Sequence, residues 1–347
     1  MLFFVIGMAI LGGVVNYLLL RFLRTLGTKD QEANFQVRWS SQTKPTIGGI
    51  SFFIGFLVTL VVTLLFSQEE INVAQFGVIA VSVIIAFLMG LADDAFNTKP
   101  WLKFSVQLLC GIVLVAGGVQ IDLGWGNAIE IPLTILWVAG LMNSVNMLDN
   151  MDGVTTTAAL PVLLLVWWLN PDGVTGWLAL GMLATLIGFL FVNWHPSKVY
   201  MGDSGSQLLG ALLAGLTIME CWNHEGFAGG GSTLLQLIVP VLALATTLTD
   251  TTLVTINRLR HGRSPFVGGR DHSTHNLSYL GLSDQSIAFT YFCWSLVNVF
   301  LAFLLIQYQG DTILRWEIVV ILYLMLVFIS FFMISRRNLK HGKYTYS

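Results

Sequence analysis

The chain has 347 residues, of which 55% are hydrophobic and only 10% charged, and its mean hydropathy is +0.75. Soluble domains carry about 25% charged residues, so the composition excludes a soluble fold and indicates an integral membrane protein. The net charge of −2 carries little information, we expect no nucleic-acid partner, and the three scattered cysteines form neither a disulfide framework nor a metal motif.

Eleven apolar stretches of roughly membrane-spanning length follow one another along the chain. A spanning helix needs about 20 apolar residues, with some latitude for tilt. We therefore predict an all-α integral membrane fold, a polytopic bundle of about 11 transmembrane helices that forms one domain over residues 1–347. The predicted spans are 2–20, 47–66, 73–91, 104–121, 132–147, 153–170, 175–193, 204–220, 233–256, 285–306 and 317–335.

The basic residues fall in alternate connections between these spans. Sixteen of the 17 Lys and Arg do so, and only Arg315 lies on the opposite side. Because cytoplasmic loops carry an excess of Lys and Arg, we predict a multi-pass protein of the inner (cytoplasmic) membrane, with its N-terminus outside and its C-terminus cytoplasmic. The inner-side residues are Arg21, Arg24, Lys29, Arg38 and Lys44; Lys99 and Lys103; Lys198; Arg258, Arg260, Arg263 and Arg270; and Arg336, Arg337, Lys340 and Lys343.

Two acidic motifs lie at the inner ends of the third and fifth spans. Asp93 and Asp94 are adjacent, and two carboxylates at a dry boundary need a cation or a basic partner. The alternative is a solvated helix end with a salt bridge. Asn146, Asp149 and Asp152 are spaced by three, which places them on one face of a helix end. Helix capping explains one such side chain but not the whole group.

Asp203 lies between Gly202 and Gly205, at the inner end of the eighth span. Glycine allows close backbone approach, and aspartate supplies the hard oxygen that Mg²⁺ prefers. The alternative is a simple N-cap in which Asp203 or Ser204 caps the eighth span.

A cationic loop follows the ninth span, with four Arg and three His in residues 258–275. Arginine suits bidentate phosphate contact, although a basic anchor for lipid headgroups would have a similar composition. Asp250 lies within the ninth span, ten residues after Pro240. We place it at the inner end of a proline-broken helix, paired with an arginine of the loop that follows.

The acidic clusters can converge in a bundle, where the basic loop would face them. Carboxylates can hold Mg²⁺, and Mg²⁺ and arginine can hold a diphosphate. The pattern therefore predicts a membrane enzyme acting on a phosphorylated cytosolic substrate, with site loops at about 21–46, 92–103, 146–152, 194–203 and 257–284. A secondary transporter is the main alternative of another class, and a non-catalytic binding protein is a further one. Transporters, however, bind near the bilayer midplane between repeats.

In this order, the motifs resemble those of the polyprenyl-phosphate N-acetylhexosamine-1-phosphate transferase family, in its undecaprenyl-phosphate GlcNAc-1-phosphate branch. The resemblance runs from residues 44–49 (Lys-Pro-Thr-Ile-Gly-Gly) to the histidine loop. It covers an aspartate pair, Asn-x-x-Asp-x-x-Asp-Gly, Met-Gly-Asp-x-Gly, Gly-x-Ser-Pro-Phe and a histidine cluster. Such an ordered set is highly specific.

The resemblance implies that undecaprenyl phosphate attacks the β-phosphorus of a UDP-linked N-acetylhexosamine and releases UMP. It implies Mg²⁺ as cofactor, with Mn²⁺ as a substitute, and a homodimer is expected by likeness alone. The implied metal ligands are Asp203 and Asp94; the catalytic group is Asp93, Asp94, Asp149 and Asp152; and the implied substrate-binding residues are Lys103, Asn146, Asn193 (for uridine), Arg263, His272, His275 and Thr46.

The chain departs from the family pattern at two positions. Residues 149–153 read Asp-Asn-Met-Asp-Gly where Asp-Gly-x-Asp-Gly is usual, and residues 272–275 read His-Ser-Thr-His where His-x-His-His is usual. The chain also lacks the triple-histidine run of transferases that use UDP-MurNAc-pentapeptide. We therefore favour the branch that begins O-antigen, teichoic acid or capsule synthesis, with the MurNAc-pentapeptide transferase of peptidoglycan synthesis as the alternative.

Overall fold

The computed structural model describes residues 1–22, 44–67, 71–227, 233–265, 268–307 and 313–344. Within these ranges every regular element is helical, so the predicted all-α fold is confirmed. The α-helices are α1 (Leu2–Phe22), α2 (Gly48–Phe66), α3 (Val73–Phe96), α4 (Pro100–Ala116), α5 (Asn127–Leu148), α6 (Val154–Leu169), α7 (Val174–Asn193), α8 (Gly202–Thr217), α9 (Thr233–Ala243), α10 (Ala245–Arg260), α11 (Ser273–Tyr279), α12 (Asp284–Gln307) and α13 (Ile313–Lys340).

Seven of the described helices are long and apolar enough to cross a membrane: α1, α2, α3, α5, α7, α12 and α13. The pair α9 and α10 makes an eighth if it is counted as one span. The remaining predicted spans coincide with α4, α6 and α8, which have only 16 or 17 residues. Helix α8 continues into a π-helical stretch at Ile218–Trp222.

The predicted ninth span is not one straight helix. Helices α9 and α10 meet at Leu244 and are bent by 83°. Pro240 lies inside α9, four residues before this bend. The bend places Asp250 in α10, on the arm that leads to the basic loop.

Helix α8 lies at the centre of the bundle, packed against α2, α3 and α5. All of its residues are buried except Asp203 in its first turn. The approach of α3 depends on Gly90, because a Cβ at that position would lie 2.3 Å from the backbone oxygen of Asp203. The packing of α2, α3 and α5 therefore fixes the position of α8, the helix that carries Asp203.

The predicted inner connections meet at one end of the bundle. Lys44 Nζ donates to Ser197 Oγ at 3.0 Å, which joins the segment before α2 to the segment before α8. Asn338 Nδ2 donates to Asn276 Oδ1 at 2.9 Å, which joins the end of α13 to α11. We call this end of the molecule the polar end. Arg24, Lys29 and Arg38 lie outside the described residues.

Candidate functional site

The ammonium group of Lys103 lies at the centre of the site. Its Nζ is 3.3 Å from Asp93 Oδ2 and 3.4 Å from Asp203 Oδ2, and it donates to Asn146 Oδ1 at 3.0 Å. Helix α4 begins at Pro100, a residue suited to the first helical position, so Lys103 lies in the first turn of α4. Helices α3, α4, α5 and α8 thus each contribute one polar side chain to this contact, which we call the Lys103 cluster.

Asn146 uses both ends of its amide in the cluster. Its Nδ2 donates to Asp203 Oδ1 at 2.7 Å and to Ser206 Oγ at 2.8 Å, while its Oδ1 accepts from Lys103. Ser206 is a site residue that the sequence reasoning missed. Its signal was its position three residues after Asp203, on the same face of α8.

Asp93 lies in the last turn of α3 and is oriented by the residues that end this helix. Asn97 has a left-handed conformation (φ 51°), which turns the chain back toward the helix. The N–H of Thr98 then donates to Asp93 Oδ1 at 2.8 Å, and its hydroxyl donates to the same atom at 2.5 Å. One carboxylate oxygen of Asp93 is therefore held by the chain turn, and the other faces Lys103.

Asp94 caps helix α8 from outside that helix. Its Oδ1 accepts the N–H of Asp203 at 3.1 Å, and its Oδ2 accepts the N–H of Ser204 at 2.9 Å. The alternative in which Asp203 or Ser204 caps α8 is wrong, because a carboxylate of α3 satisfies these backbone donors. Gly202 has φ 74°, and a Cβ there would lie 2.8 Å from Asp94 Oδ2, so this turn requires glycine.

Thr46 lies against the same turn, 3.2 Å from the position that a Cβ of Gly202 would take. Its side chain is buried, and its hydroxyl makes no hydrogen bond with the part of the chain that is described. Burying a hydroxyl without a partner costs free energy. The Thr46 hydroxyl is therefore available to a bound group beside Asp94 and Asp203.

Asp149 lies just past the end of α5, near the carboxylates of Asp203 and Asp94. Burial, followed by these two carboxylates, raises the pKa of Asp149 to about 8. Asp149 is therefore mostly neutral near pH 7 when no cation is bound. A cation held beside these carboxyl groups would favour their charged forms.

Asp152 belongs to a separate set of contacts. Helix α5 ends at Leu148, so the helical spacing that placed Asp152 beside Asn146 and Asp149 does not continue to residue 152. Its carboxylate instead accepts from Ser197 N at 3.0 Å, and it lies near His195 Nδ1 at 3.1 Å and Lys44 Nζ at 3.4 Å. Burial alone would raise the pKa of Asp152, but hydrogen bonds from Ser197 and the charge of Lys44 lower it.

Asn193 joins the same region and uses its amide on protein groups. Its Oδ1 accepts from Gly153 N at 3.1 Å and from Thr156 Oγ1 at 3.2 Å, and its Nδ2 donates to Val199 O at 3.0 Å. The side chain is only 4% exposed. Asn193 and Asp152 therefore tie the α5–α6 turn (residues 149–153) to the segment before α8.

The histidine loop is anchored on Asp250, which is completely buried. His272 Nδ1 lies 2.8 Å from Asp250 Oδ2, and Ser273 donates to Oδ1 from its N–H at 2.7 Å. The Ser273 hydroxyl also contacts Asp250 and Tyr291. The predicted arginine partner of Asp250 was wrong. Arg258 instead binds Asp271, through Nε at 2.9 Å and Nη2 at 2.7 Å, and this pair holds the base of the loop.

His275 lies next to His272, with ring centroids 5.4 Å apart. Burial, followed by the neighbouring His272, lowers the pKa of His275 to about 3, so its ring is neutral at physiological pH. Arg263 is half-buried at the start of the loop, where its N–H donates to Arg258 O at 2.8 Å.

The two positions that depart from the family pattern contact each other. Thr274 Oγ1, in the first turn of α11, donates to Asn150 Oδ1 at 2.5 Å. This hydrogen bond joins the histidine loop to the α5–α6 turn. No sequence signal pointed to the contact, since 124 residues separate the two positions.

The donor chemistry at the Lys103 cluster suits Mg²⁺. Asp203 and Asp93 offer carboxylate oxygens, and Asn146 offers an amide oxygen. Asp149 and the Thr46 hydroxyl are further oxygen groups near Asp203. Within the described ranges no three His, Cys, Asp or Glu side chains form a metal cage on their own. Mg²⁺ commonly takes one or two carboxylates and completes its shell with water and substrate phosphate.

Comparisons with known proteins place these residues in a wider context. Residues 75–220, which include the whole Lys103 cluster and the Asp152 contacts other than Lys44, match the sequence profile of Glycosyl transferase family 4. A Bacillus subtilis protein named probable undecaprenyl-phosphate N-acetylglucosaminyl 1-phosphate transferase is 26% identical over 287 residues, which cover 78% of this chain and 75% of that protein.

Two further relatives carry related names. A phospho-N-acetylmuramoyl-pentapeptide-transferase of Heliobacterium modesticaldum is 29% identical over 288 residues, which cover 75% of this chain and 83% of that protein. A decaprenyl-phosphate N-acetylglucosaminephosphotransferase of Mycobacterium leprae is 27% identical over 282 residues, which cover 72% of this chain and 70% of that protein.

Proposed function

We propose that the chain, whose residues 75–220 match the profile of glycosyl transferase family 4, transfers a sugar 1-phosphate from a UDP-sugar to undecaprenyl phosphate. The sugar we favour is N-acetylglucosamine, which the names of the Bacillus and Mycobacterium relatives support. An oxygen of the lipid phosphate attacks the β-phosphorus of the donor, the bond to the bridging oxygen of the diphosphate breaks, and UMP leaves. The product, undecaprenyl-diphospho-sugar, begins the membrane stage of O-antigen, teichoic acid or capsule synthesis.

The observation that carries this proposal is the Lys103 cluster. It places one ammonium group between two carboxylates and an amide, at the polar end of a bundle of apolar helices. A lipid phosphate would enter this end with its chain in the bilayer. Lys103 would exchange part of its contact with Asp93 and Asp203 for the incoming phosphate.

Asp93 has a positioning role in this mechanism. A phosphate monoester has its second pKa near 6, so much of the lipid phosphate is already dianionic at neutral pH and needs no strong base. Asp93 keeps one oxygen on the Thr98 turn and directs the other to Lys103. It thereby holds the ammonium group where the acceptor phosphate binds, and the gain comes from bringing two anionic groups together.

Mg²⁺ or Mn²⁺ would be held by Asp203, with Asp149, Asn146 and Asp94 as neighbouring oxygen groups. When bound, the cation supplies positive charge for the donor diphosphate and the leaving UMP. Asn146 orients Asp203 by the hydrogen bond to its Oδ1. Asp94 fixes the turn that carries Asp203, and the Thr46 hydroxyl would donate to the bound diphosphate.

The histidine loop would contact the donor. Arg263 supplies a cation for the diphosphate, while His272 and His275 offer ring nitrogens to the sugar or the phosphate. Asp250 holds the first ring from inside the bundle. Asp152 and Asn193 act through the α5–α6 turn, which they tie to the segment before α8, and so shape the nucleotide side of the site.

The membrane arrangement follows from the basic residues. We propose that the polar end faces the cytoplasm in the inner membrane, because cytosolic UDP-sugars must reach it and because nearly all Lys and Arg of the sequence fall in the predicted inner connections. This orientation requires an odd number of spans, and eleven satisfies it if α4, α6, α8 and the bent pair also cross. A homodimer is proposed on family likeness alone.

The second candidate is a UDP-MurNAc-pentapeptide phosphotransferase of peptidoglycan synthesis, which the likeness to the Heliobacterium protein favours. Both reactions use the same acceptor and release UMP. They differ in the donor, so only donor selection separates them.

The test is UMP release by purified protein in detergent, with undecaprenyl phosphate, Mg²⁺ and a panel of UDP-sugars that includes UDP-MurNAc-pentapeptide. We expect release with one UDP-N-acetylhexosamine that depends on both lipid and metal and is lost in Asp203→Asn. Asp172→Asn is the matched control, because Asp172 is exposed in the turn between α6 and α7. If folded protein releases no UMP with any donor, the transferase function is excluded. The remaining alternatives are then a secondary transporter and a non-catalytic binding protein.

A further inference from the structure

The hydrogen bond between Asn150 and Thr274 has an oriented geometry. Asn150 Nδ2 donates to Met147 O at 2.9 Å, which turns the amide oxygen toward the Thr274 hydroxyl. Thr274 is completely buried. A buried hydroxyl that loses its partner costs free energy. The Thr274 hydroxyl therefore stabilises the contact between α11 and the α5–α6 turn.

The residues on either side of this bond are the groups that the proposed reaction uses. Asn150 follows Asp149 in the α5–α6 turn, and Thr274 precedes His275 in α11. On its other sides α11 is fixed by Asp250 of α10 and Tyr291 of α12, both through Ser273. The Asn150–Thr274 hydrogen bond therefore sets the spacing between the α5–α6 turn and the histidine loop.

The two side chains also complement each other in size. The motif pattern has glycine at position 150 and histidine at position 274, so here a side chain is gained on one segment and a ring is lost on the other. Glycine is not required at 150 by backbone conformation, because Asn97 is the one non-glycine residue with positive φ in the described ranges. The two departures meet in a hydrogen bond.

We propose that Asn150 and Thr274 are a coupled pair of positioning residues that sets the fit of the donor sugar between the α5–α6 turn and the histidine loop. The proposal rests on the proposed transferase function. Because cores have discrete packing arrangements, one member cannot change size without displacing the other segment. Each residue then acts through its partner and not by contact with the substrate.

The first experiment is a double-mutant cycle with Thr274→Val, Asn150→Ala and the double variant, measured by UMP release. We expect each single change to raise the donor KM and lower kcat/KM for the donor by about tenfold, while the KM for undecaprenyl phosphate stays the same. The double variant should be no worse than either single one. Thr274→Ser, which keeps the hydroxyl, should restore the wild-type donor KM.

Thr251→Val is the matched control. Thr251 Oγ1 of α10 donates to Ser144 Oγ of α5 at 2.9 Å, so the change removes another hydroxyl bond between separate segments without touching the turn or the loop. We expect its donor KM to remain that of the wild type. Melting temperatures of all variants show which proteins are folded, and Asn150→Ala carries the test if Thr274→Val fails to fold.

The second experiment exchanges the sizes of the pair. Thr274→His alone should lose most activity, because the ring would overlap Asn150, and Asn150→Gly in the same chain should recover at least tenfold of that loss. Unchanged donor kinetics in Thr274→Val, or losses that simply add in the double variant, would overturn the pairing while the transferase function stands. A wild-type protein without UMP release for any donor would overturn both.

Discussion

The carboxylate of Asp94 accepts the backbone N–H of Asp203 at 3.1 Å, so one acidic residue fixes the helix turn that carries another. The carboxylates of Asp94 and Asp203 belong to neighbouring segments but bind different groups. Asp94 satisfies backbone donors at the start of α8, a position where a negative charge is also favoured by the helix dipole. The side chain of Asp203 remains partly exposed and contacts Lys103.

The first prediction separates Asp94 from Asp93. Asp94→Asn keeps one acceptor oxygen but places an NH₂ group against a backbone donor, so it should lower the free energy of unfolding by about 1–3 kcal/mol and reduce activity with it. Asp93→Asn, whose Oδ1 can still accept from Thr98, should lower the melting temperature less than Asp94→Asn does, and it should lower kcat/KM for undecaprenyl phosphate. Melting curves and UMP release on both proteins check this. Equal thermal losses would contradict the division.

The second prediction concerns Lys103. Lys103→Met removes the one ammonium group among the carboxylates of the cluster, so Asp93 and Asp203 repel and the acceptor phosphate loses a cation. We expect kcat/KM for undecaprenyl phosphate to fall at least a hundredfold. Lys99→Met is the control, because Lys99 is exposed immediately before the same helix. Similar losses in both variants would mean that general positive charge, rather than the cluster, matters.

The third prediction uses the close approach of α3 to α8. Gly90→Ala would place a Cβ 2.3 Å from Asp203 O, so α8 must shift or α3 must move away, at a cost of about 1–3 kcal/mol. The displacement carries Asp203 with it, and UMP release should fall more than the melting temperature suggests. Gly77→Ala on the same helix meets nothing within 4 Å and should leave both quantities unchanged.

Hydropathy predicted the positions of the long helices, because every segment that crosses a bilayer must be apolar over its length. Sequence reasoning also predicted roles for Asp93, Lys103, Asn146 and Asp203, which the structure brings into contact. It could not assign Asp94 to the turn before Ser204, because 110 residues separate this pair and only packing brings them into contact. Helical periodicity failed for Asp152 because periodicity holds only while the helix lasts, and α5 ends at Leu148.

The fourth prediction is that Asn193 acts on the fold. All polar atoms of its amide bond to other protein groups, so Asn193→Ala should leave two donors and one acceptor without partners and lower the free energy of unfolding by about 2–4 kcal/mol. Thermal unfolding in detergent measures this. A stable variant with a raised KM for the UDP-sugar alone would instead assign Asn193 to direct uridine contact.

The fifth prediction concerns pH. The pKa of His275 is lowered to about 3, below the value of about 6.5 for an unperturbed histidine, so the unfolded chain binds the proton more tightly. Stability from this group is complete above pH 6.5 and is lost as the pH falls toward 3, by up to about 1.4 kcal/mol per pH unit. Unfolding curves of wild type and His275→Asn between pH 7 and 4 should therefore converge. Parallel curves would show that the ring is not buried in its neutral form.

Helix α8 presents Asp203 as its single residue that is not buried. Asp203 cannot change position to fit a new substrate, because a shift of α8 would disturb its packing against α2, α3 and α5. Diversification toward other sugars would then have to proceed through the histidine loop, with Thr274 changed together with its partner Asn150. Efforts to redirect the donor by mutagenesis should accordingly leave the central helix alone and randomise the residues around Arg263 and Thr274.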